Sequence, residues 1–347
     1  MRKLTAMAAT MLLGVGLSAC GAGGDTAGGG GDDTVDVGYV QLSIFSPLFV
    51  AQEKGYFADE GLKVNLENVK SGQDAIPLAS SGKLDTALVG FSAGMFSAIN
   101  TGLDVEVVGS MGVQPEDRER PPSALLVRQE LIDSGEYSSL ADLEGRTIGV
   151  LGGEGATGAF YVGMALQEAG LSLDDVNFTQ LSNPDMPTGL QTGGVDAAFA
   201  SAPFWEMAVE DGAAEKVWTT PEGTSGTGMI YGGEFSDSEN GQKFFDAMAR
   251  AAKDLQGEQR YSEENLRIIA EATDQSVEDV KSTPLYTWLP DLAPLPDQLA
   301  TMEQTWMELG ALEYDQPLPQ EEYVNTTFSD NVDAGQDGSD GSAGSDG

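Results

Sequence analysis

Histidine is absent from this chain of 347 residues, and cysteine occurs once, at position 20. The first absence removes Ser-His-Asp and Cys-His catalysis and every histidine-ligated metal centre. The second removes thiolate metal clusters and intrachain disulfides, so the fold stands on its own core. Basic residues are scarce: 17 Lys and Arg against 56 Asp and Glu leave a formal net charge of −39. Such a surface repels nucleic-acid backbone and bare anionic lipid, and no nucleic-acid partner is expected. With so many acids, neighbouring carboxylates arise by chance, and no pair is read as acid–base machinery. No catalytic residue, metal or cofactor is assigned. The apolar run Leu4 to Leu17 is about 14 residues, short of the ~20 that cross a bilayer as a helix.

What is present begins with Arg2 and Lys3, that apolar run, and the small residues Ser18 and Ala19. Together they read as a secretory signal over residues 1–19. "LSAC" resembles the lipobox of bacterial lipoproteins, in which the Cys thiol takes a diacylglyceryl group and becomes the mature N-terminus. Cys20 is therefore read as a lipidation site, and residues 20–33 as a flexible tether rich in glycine and aspartate. Each buried CH₂ contributes about 0.8 kcal/mol, so two acyl chains anchor where one binds reversibly. Losing residues 1–19 removes two basic and no acidic groups, leaving 15 basic against 56 acidic residues, or −41. At the other end, "SDNVDAGQDGSDGSAGSDG", residues 329–347, is low in complexity and is expected to be a disordered acidic tail.

Between these ends, strand and helix patterns alternate. "TVDVGYVQL", "LKVNLENV", "LDTALVG" and "VEVVGSM" read as strands, separated by short helices that stop at Gly55, Gly82 and Gly102. The charged, proline-rich "GVQPEDRERPP" breaks the pattern and reads as a crossover. "SALLVR" then starts a second block of the same kind, with strands "RTIGVL", "NFTQL", "VDAAFA" and "KVWTT". "GTGMIYGGEF" reads as a strand returning to the first block, and helices follow at about 238–256, 262–272, 276–282 and 296–310. Such βα blocks imply parallel sheets with helices on both faces. The expected organisation is lobe one from 34–120 plus 222–328 and lobe two from 121–221. Ligands of open α/β sheets bind beyond the carboxyl ends of the strands, so two facing sheets enclose a cleft.

The blocks "SPLFVAQEKGYFADEGLKVNL", "SGQDAIPLASSGKLDTALVG", "SAINTGLDVEVVGS" and "LADLEGRTIGVLGGEGATGAFYVGMALQEAGLSLDDVNFTQLSNPDMPTGLQTGGVDAAFASAPF" carry a resemblance. In their order the chain resembles the substrate-binding proteins of bacterial ABC importers, in the nitrate/sulfonate/taurine group with its thiamin-pyrimidine-precursor relatives. The resemblance covers roughly residues 35–315. It implies a two-lobed α/β fold of the type II periplasmic-binding-protein kind, with a mixed five-stranded sheet in each lobe and a double crossover hinge. It implies a monomer that captures a small solute outside the cytoplasm and hands it to ABC permease and ATPase subunits, held at the bacterial cell membrane by its lipid anchor. A sulfonate, nitrate or taurine-type solute is the first expectation. A thiamin-pyrimidine precursor, an amine, or a surface sensor without transport are the alternatives. Pyrimidine synthases of the same fold depend on His and Cys, which this chain lacks outside position 20, so no enzyme is expected.

The loop "GGEGATGAF" follows a strand and opens a helix, where glycines and free N–H groups suit an anionic headgroup. Ala156, Thr157 and Gly158 are candidate ligand-binding residues there, with the Thr157 hydroxyl either capping the helix or facing solute. Glu154 in the same loop would favour a neutral or cationic solute if it faced the cleft. The other candidates follow strands: Ser43, Phe45, Gln73, Phe91, Ser92, Ser201 and Phe204, the polar groups orienting solute and the aromatics walling it. Asp85 in "SGKLD" and Asp196 in "GGVD" are read as fixing loop backbone. Arg118, Arg120 and Arg128 are read as surface partners of acids. Met95, Met164, Met186 and Met207 are read as core.

Overall fold

The computed structural model describes residues 33–70 and 72–337. The expected signal segment, Cys20, all of the tether but its last residue, and residues 338–347 lie outside the described residues. Among the described residues, ten strands form two five-stranded sheets. The first holds β1 (Thr34–Tyr39), β2 (Lys63–Asn68), β3 (Thr86–Gly90) and β4 (Val105–Ser110). The second holds β5 (Ser123–Arg128), β6 (Thr147–Val150), β7 (Asn177–Gln180), β8 (Ala197–Ser201) and β9 (Ala214–Trp218), and β10 (Thr227–Gly232) returns to the first.

The strand orders, β2-β1-β3-β10-β4 and β7-β6-β8-β5-β9, are one path drawn twice. Within each βα block the pairing is parallel, β1 with β2 and β3, β6 with β7 and β8. The strand that arrives from the other lobe is antiparallel: β10 to β3 and β4, β5 to β8 and β9. The direction follows from the crossing. A chain leaving one lobe at the carboxyl end of its strands enters the next lobe at the corresponding end. Its first strand there points away from the cleft. Both sheets are therefore mixed, as the family resemblance implied and as block patterning alone did not. The two crossing segments bond to each other at Gln114, whose N–H donates to Thr224 O (2.9 Å) and whose carbonyl accepts from Gly223 N–H (3.0 Å).

Packing follows the apolar periodicity. The helix Glu239–Asp254 is capped by Ser238, whose side chain accepts from Gly241 N–H, and buries Phe244, Phe245, Met248 and Ala252 on one face. Phe244 stacks on Phe57 of the "EKGYFADEG" turn at 4.9 Å between ring centroids. On the opposite face of sheet one, Trp306 of the helix Pro296–Glu308 is fully buried. It packs between Phe96 of lobe one (5.8 Å) and Phe160 of lobe two (6.1 Å), so one apolar cluster runs through both lobes.

Two expectations need correction. The tail is not disordered from 329: a helix spans Thr327–Asp337. Phe328 and Val332, four apart and on one helical face, are buried in the lobe-one core, with Phe328 stacked against Phe245 at 5.8 Å. Two apolar anchors suffice to hold a helix whose remaining composition is acidic and small. Met207 is not core: it is 45% exposed, because the helix Phe204–Glu210 turns Trp205 and Ala208 inward instead. Met95 and Met186 are fully buried, and Met164 is half-buried.

Candidate functional site

A cavity of about 130 Å³ lies where the carboxyl ends of the strands of both sheets meet. Lobe one supplies Val40 and Leu42 to Phe45 after β1, Lys70, Gly72 and Gln73 after β2, and Gly90, Phe91 and Ser92 at the end of β3. Lobe two supplies Leu151, Gly152 and Ala156 to Gly158 after β6, Asn183 after β7, and Ser201 with Ala202 at the end of β8. Ser123 and Thr227 start the two antiparallel strands, and so reach the same place from the opposite chain direction.

Nine of the ten candidate residues line this cavity: Ser43, Phe45, Gln73, Phe91, Ser92, Ala156, Thr157, Gly158 and Ser201. Phe204 does not. It opens a helix whose next residue, Trp205, is buried and donates its indole N–H to Pro121 O at 2.9 Å, and Phe204 itself stays half-buried outside the cavity. Glu154 is exposed and outside the lining, so the condition for a cationic solute is not met. The arginines are elsewhere too. Arg128 pairs with Asp196 (Nε to Oδ1, 3.2 Å) and Glu130, while Arg118 and Arg120 are exposed.

Sequence reasoning missed Lys70 and Asn183, which the rule of loops after strands covers. It also missed Tyr161, one turn into the helix from Thr157, and Phe199, inside a strand. Tyr286 sits in the proline-rich segment "TPLYTWLPDLAPLP", where no periodicity marks an inward-facing residue.

The walls are aromatic. Tyr161 and Phe199 lie 5.3 Å apart, and Phe45, Phe91 and Tyr286 complete the aromatic lining. Burial raises both phenols: Tyr286 is pushed up to about 12, with hydrogen bonds from Ser123, Gln114 and Ser201 acting the other way. Tyr161 is raised further, by burial and then by Tyr286. Both are neutral hydrogen-bonding groups at ordinary pH. Ser92 caps the helix Ala93–Asn100 by accepting from Met95 N–H (3.2 Å), and Asn183 Oδ1 accepts from Ser201 N–H (3.1 Å). Thr227 Oγ1 is buried without a protein partner, leaving a polar atom in the wall that a solute can satisfy. Among the described residues, Lys70 is the one charged side chain of the lining, and it is exposed.

Thr157 turns out to cap nothing. Its hydroxyl donates across the cleft to Phe91 O at 2.7 Å and lies 3.2 Å from Gly226 O. Among the described residues, no group of three or more Asp, Glu, Cys or His side chains has the proximity to hold a metal, and no helix is long and apolar enough to cross a membrane.

The chain is similar to a binding protein of Brucella abortus, 28% identical over 149 residues, 43% of this chain and 41% of that protein. It thus spans about two fifths of the length of the curated relatives it first matches. It is 33% identical over 109 residues to the 4-amino-5-hydroxymethyl-2-methylpyrimidine phosphate synthase of Aspergillus parasiticus, 31% of this chain and 28% of that one. In fold it is similar to the alkanesulfonate-binding protein SsuA of Xanthomonas axonopodis pv. citri, with a TM-score of 0.65, 18% identity, and coverage of 85% of this chain and 99% of that one. That neighbour shares the two-lobed α/β architecture. The family model described as NMT1/THI5 like matches residues 43–258. That stretch takes in the whole of sheet two and all of the cavity lining except Val40, Leu42 and Tyr286, and the chain belongs to the NMT1/THI5 like family.

Proposed function

We propose that this chain is the extracytoplasmic solute-binding component of an ABC importer, held at the cell membrane through a lipid on Cys20. One observation carries the reading: a cavity walled by both lobes, at the carboxyl ends of both sheets, lined with aromatics and neutral polar groups. The lining suits a small solute with a flat apolar part and several hydrogen-bonding atoms, of the pyrimidine type. Five aromatic side chains supply the faces, and Gln73, Asn183, Ser123, Ser201, Tyr286 and Thr227 supply donors and acceptors. An amine would meet no carboxylate there. A bare inorganic anion such as nitrate would have to leave water for neutral groups, which is costly without charged partners.

An organosulfonate is the second reading, and Lys70 at the rim favours it. The net charge of −41 does not exclude it, because surface carboxylates beyond the ~8 Å Debye length are screened at physiological salt. No enzymatic step is proposed, since the lining holds no nucleophile–base pair. A thermal-shift screen followed by calorimetry tests the reading, using aminopyrimidines, alkanesulfonates, taurine, nitrate and amines. It predicts binding of one flat or sulfonated solute at micromolar strength, about −8 kcal/mol. Failure of the whole set would overturn the solute assignment.

A further inference from the structure

The glycine-rich loop after β6 was expected to face solute. It lines the cavity, and it also makes contacts with the opposite lobe. Gly155 O accepts from Ala93 N–H at 2.9 Å, next to the bond from Thr157 Oγ1 to Phe91 O at 2.7 Å. On the lobe-one side the acceptor Phe91 lies in the turn after β3, and the donor Ala93 opens the helix Ala93–Asn100. Gly226 ends the second crossing, and its carbonyl lies 3.2 Å from the same hydroxyl. Two bonds therefore join the N-terminus of the Thr157–Glu168 helix to lobe one, on the cavity side of the molecule.

The approach depends on two missing side chains. A Cβ at Gly90 would collide with Thr157 Oγ1, and a Cβ at Gly226 would collide with Thr157 Cγ2 and Tyr161 Oη. Neither glycine has a left-handed backbone, so alanine is compatible with the local chain at both. The space is missing only because lobe two is there.

We propose that Thr157, seated against Gly90 and Gly226, is a latch that holds the lobes together, so that this loop closes the cleft and does not cradle an anion. The proposal rests on the reading of the lobes as a pair that opens and closes. A latch of this kind sets the fraction of molecules in the closed form, and with it the apparent affinity for any solute the closed form prefers. It acts through an equilibrium, so its effect is visible in the solute-free protein.

The test is an inter-lobe distance measurement by double electron–electron resonance. Spin labels are placed at Glu67→Cys on β2 and Gln180→Cys on β7, in the full chain with Cys20→Ser so that only two thiols react. The wild-type background is expected to show mainly the short distance. Thr157→Val should lower the ratio of the short-distance to the long-distance population about five-fold, the size expected for losing one neutral hydrogen bond, and Gly226→Ala should lower it at least as much, through the clash of its Cβ with Thr157 and Tyr161. Thr157→Ser, which keeps the hydroxyl, should retain that ratio. Circular dichroism melts separate opening from unfolding, and if Gly226→Ala does not fold, Thr157→Val decides. A wild-type chain already spread apart, variants with its distribution, or loss in Thr157→Ser equal to that in Thr157→Val each overturn the latch. Failure to find a solute would leave this result standing, because no solute is added.

Discussion

Asp85 and Asp196 do the same work in the two sheets. Asp196 Oδ2 accepts the backbone N–H of Thr147 at 3.0 Å, and Asp85 Oδ2 accepts that of Asp36 at 2.7 Å. In return Asp196 N–H donates to Thr147 O and Asp85 N–H to Asp36 O, each at 2.8 Å. Each aspartate thus locks the strand that follows it onto its parallel neighbour. Asp196→Ala would leave the Thr147 N–H without its acceptor and free Arg128 on one side. We expect a loss of about 1–3 kcal/mol, read by urea unfolding. A loss within ~0.5 kcal/mol, the range of ordinary surface changes, would show that these bonds are not strand locks.

Asp254 predicts an acid-sensitive step. Burial pushes its carboxyl up, but hydrogen bonds from Lys54 and Tyr56, with the charges of Lys54 and Arg250, outweigh burial and hold it below its ordinary value. A folded value below the unfolded one, near 3.9, contributes stability that is complete above the unfolded value. The contribution is lost as pH falls through the folded value. The stability gap between wild type and Asp254→Asn should therefore be constant from about pH 6 to 8 and shrink below about pH 4. A gap that widens on acidification would reverse the sign and refute the assignment.

Trp306 predicts shared stability between the lobes. It is fully buried against Phe96 and Phe160, one from each lobe. Trp306→Ala should cost about 3–5 kcal/mol. It should also weaken the coupling of the lobes, so that calorimetry shows a broadened or split transition where wild type shows one. An unchanged melt would mean that the cluster is not a common core.

Tyr286 and Phe204 separate the cavity from its surroundings. Once a solute is in hand, Tyr286→Phe should weaken calorimetric binding about five- to ten-fold, through loss of a hydroxyl that Ser123, Gln114 and Ser201 orient. Phe204→Ala should leave affinity within about two-fold, the scatter expected for independent sites. The opposite ranking would move the site toward the start of the Phe204–Glu210 helix.

The sequence made some of this legible and hid the rest, for physical reasons. Strands such as "LDTALVG" and "VDAAFA" show because burial on both faces demands near-continuous apolar residues. The glycine stops at Gly55 and Gly102 show because their backbone is left-handed. The direction of β5 and β10 has no local signal, since it depends on which end of the other lobe the chain leaves. The helix Thr327–Asp337 was masked by composition, its evidence resting on Phe328 and Val332. In the site, Phe91 and Ser92 were legible as loop residues after a strand. Tyr286 was not, because its position is set by a proline-rich segment that contacts the crossing at Val113, where Val113 N–H donates to Thr287 O at 2.7 Å. Thr157 was picked out for the right loop and the wrong partner, because a sequence shows a helix start and not what faces it.

The most direct measurement is a crystal structure of the chain with the best solute from the thermal-shift screen. The account predicts solute density between the lobes, in contact with Phe91 from one and with Tyr161 or Ser201 from the other. Density confined to one lobe, or a gap between the sheets filled by the protein's own side chains while solute sits elsewhere, would contradict it.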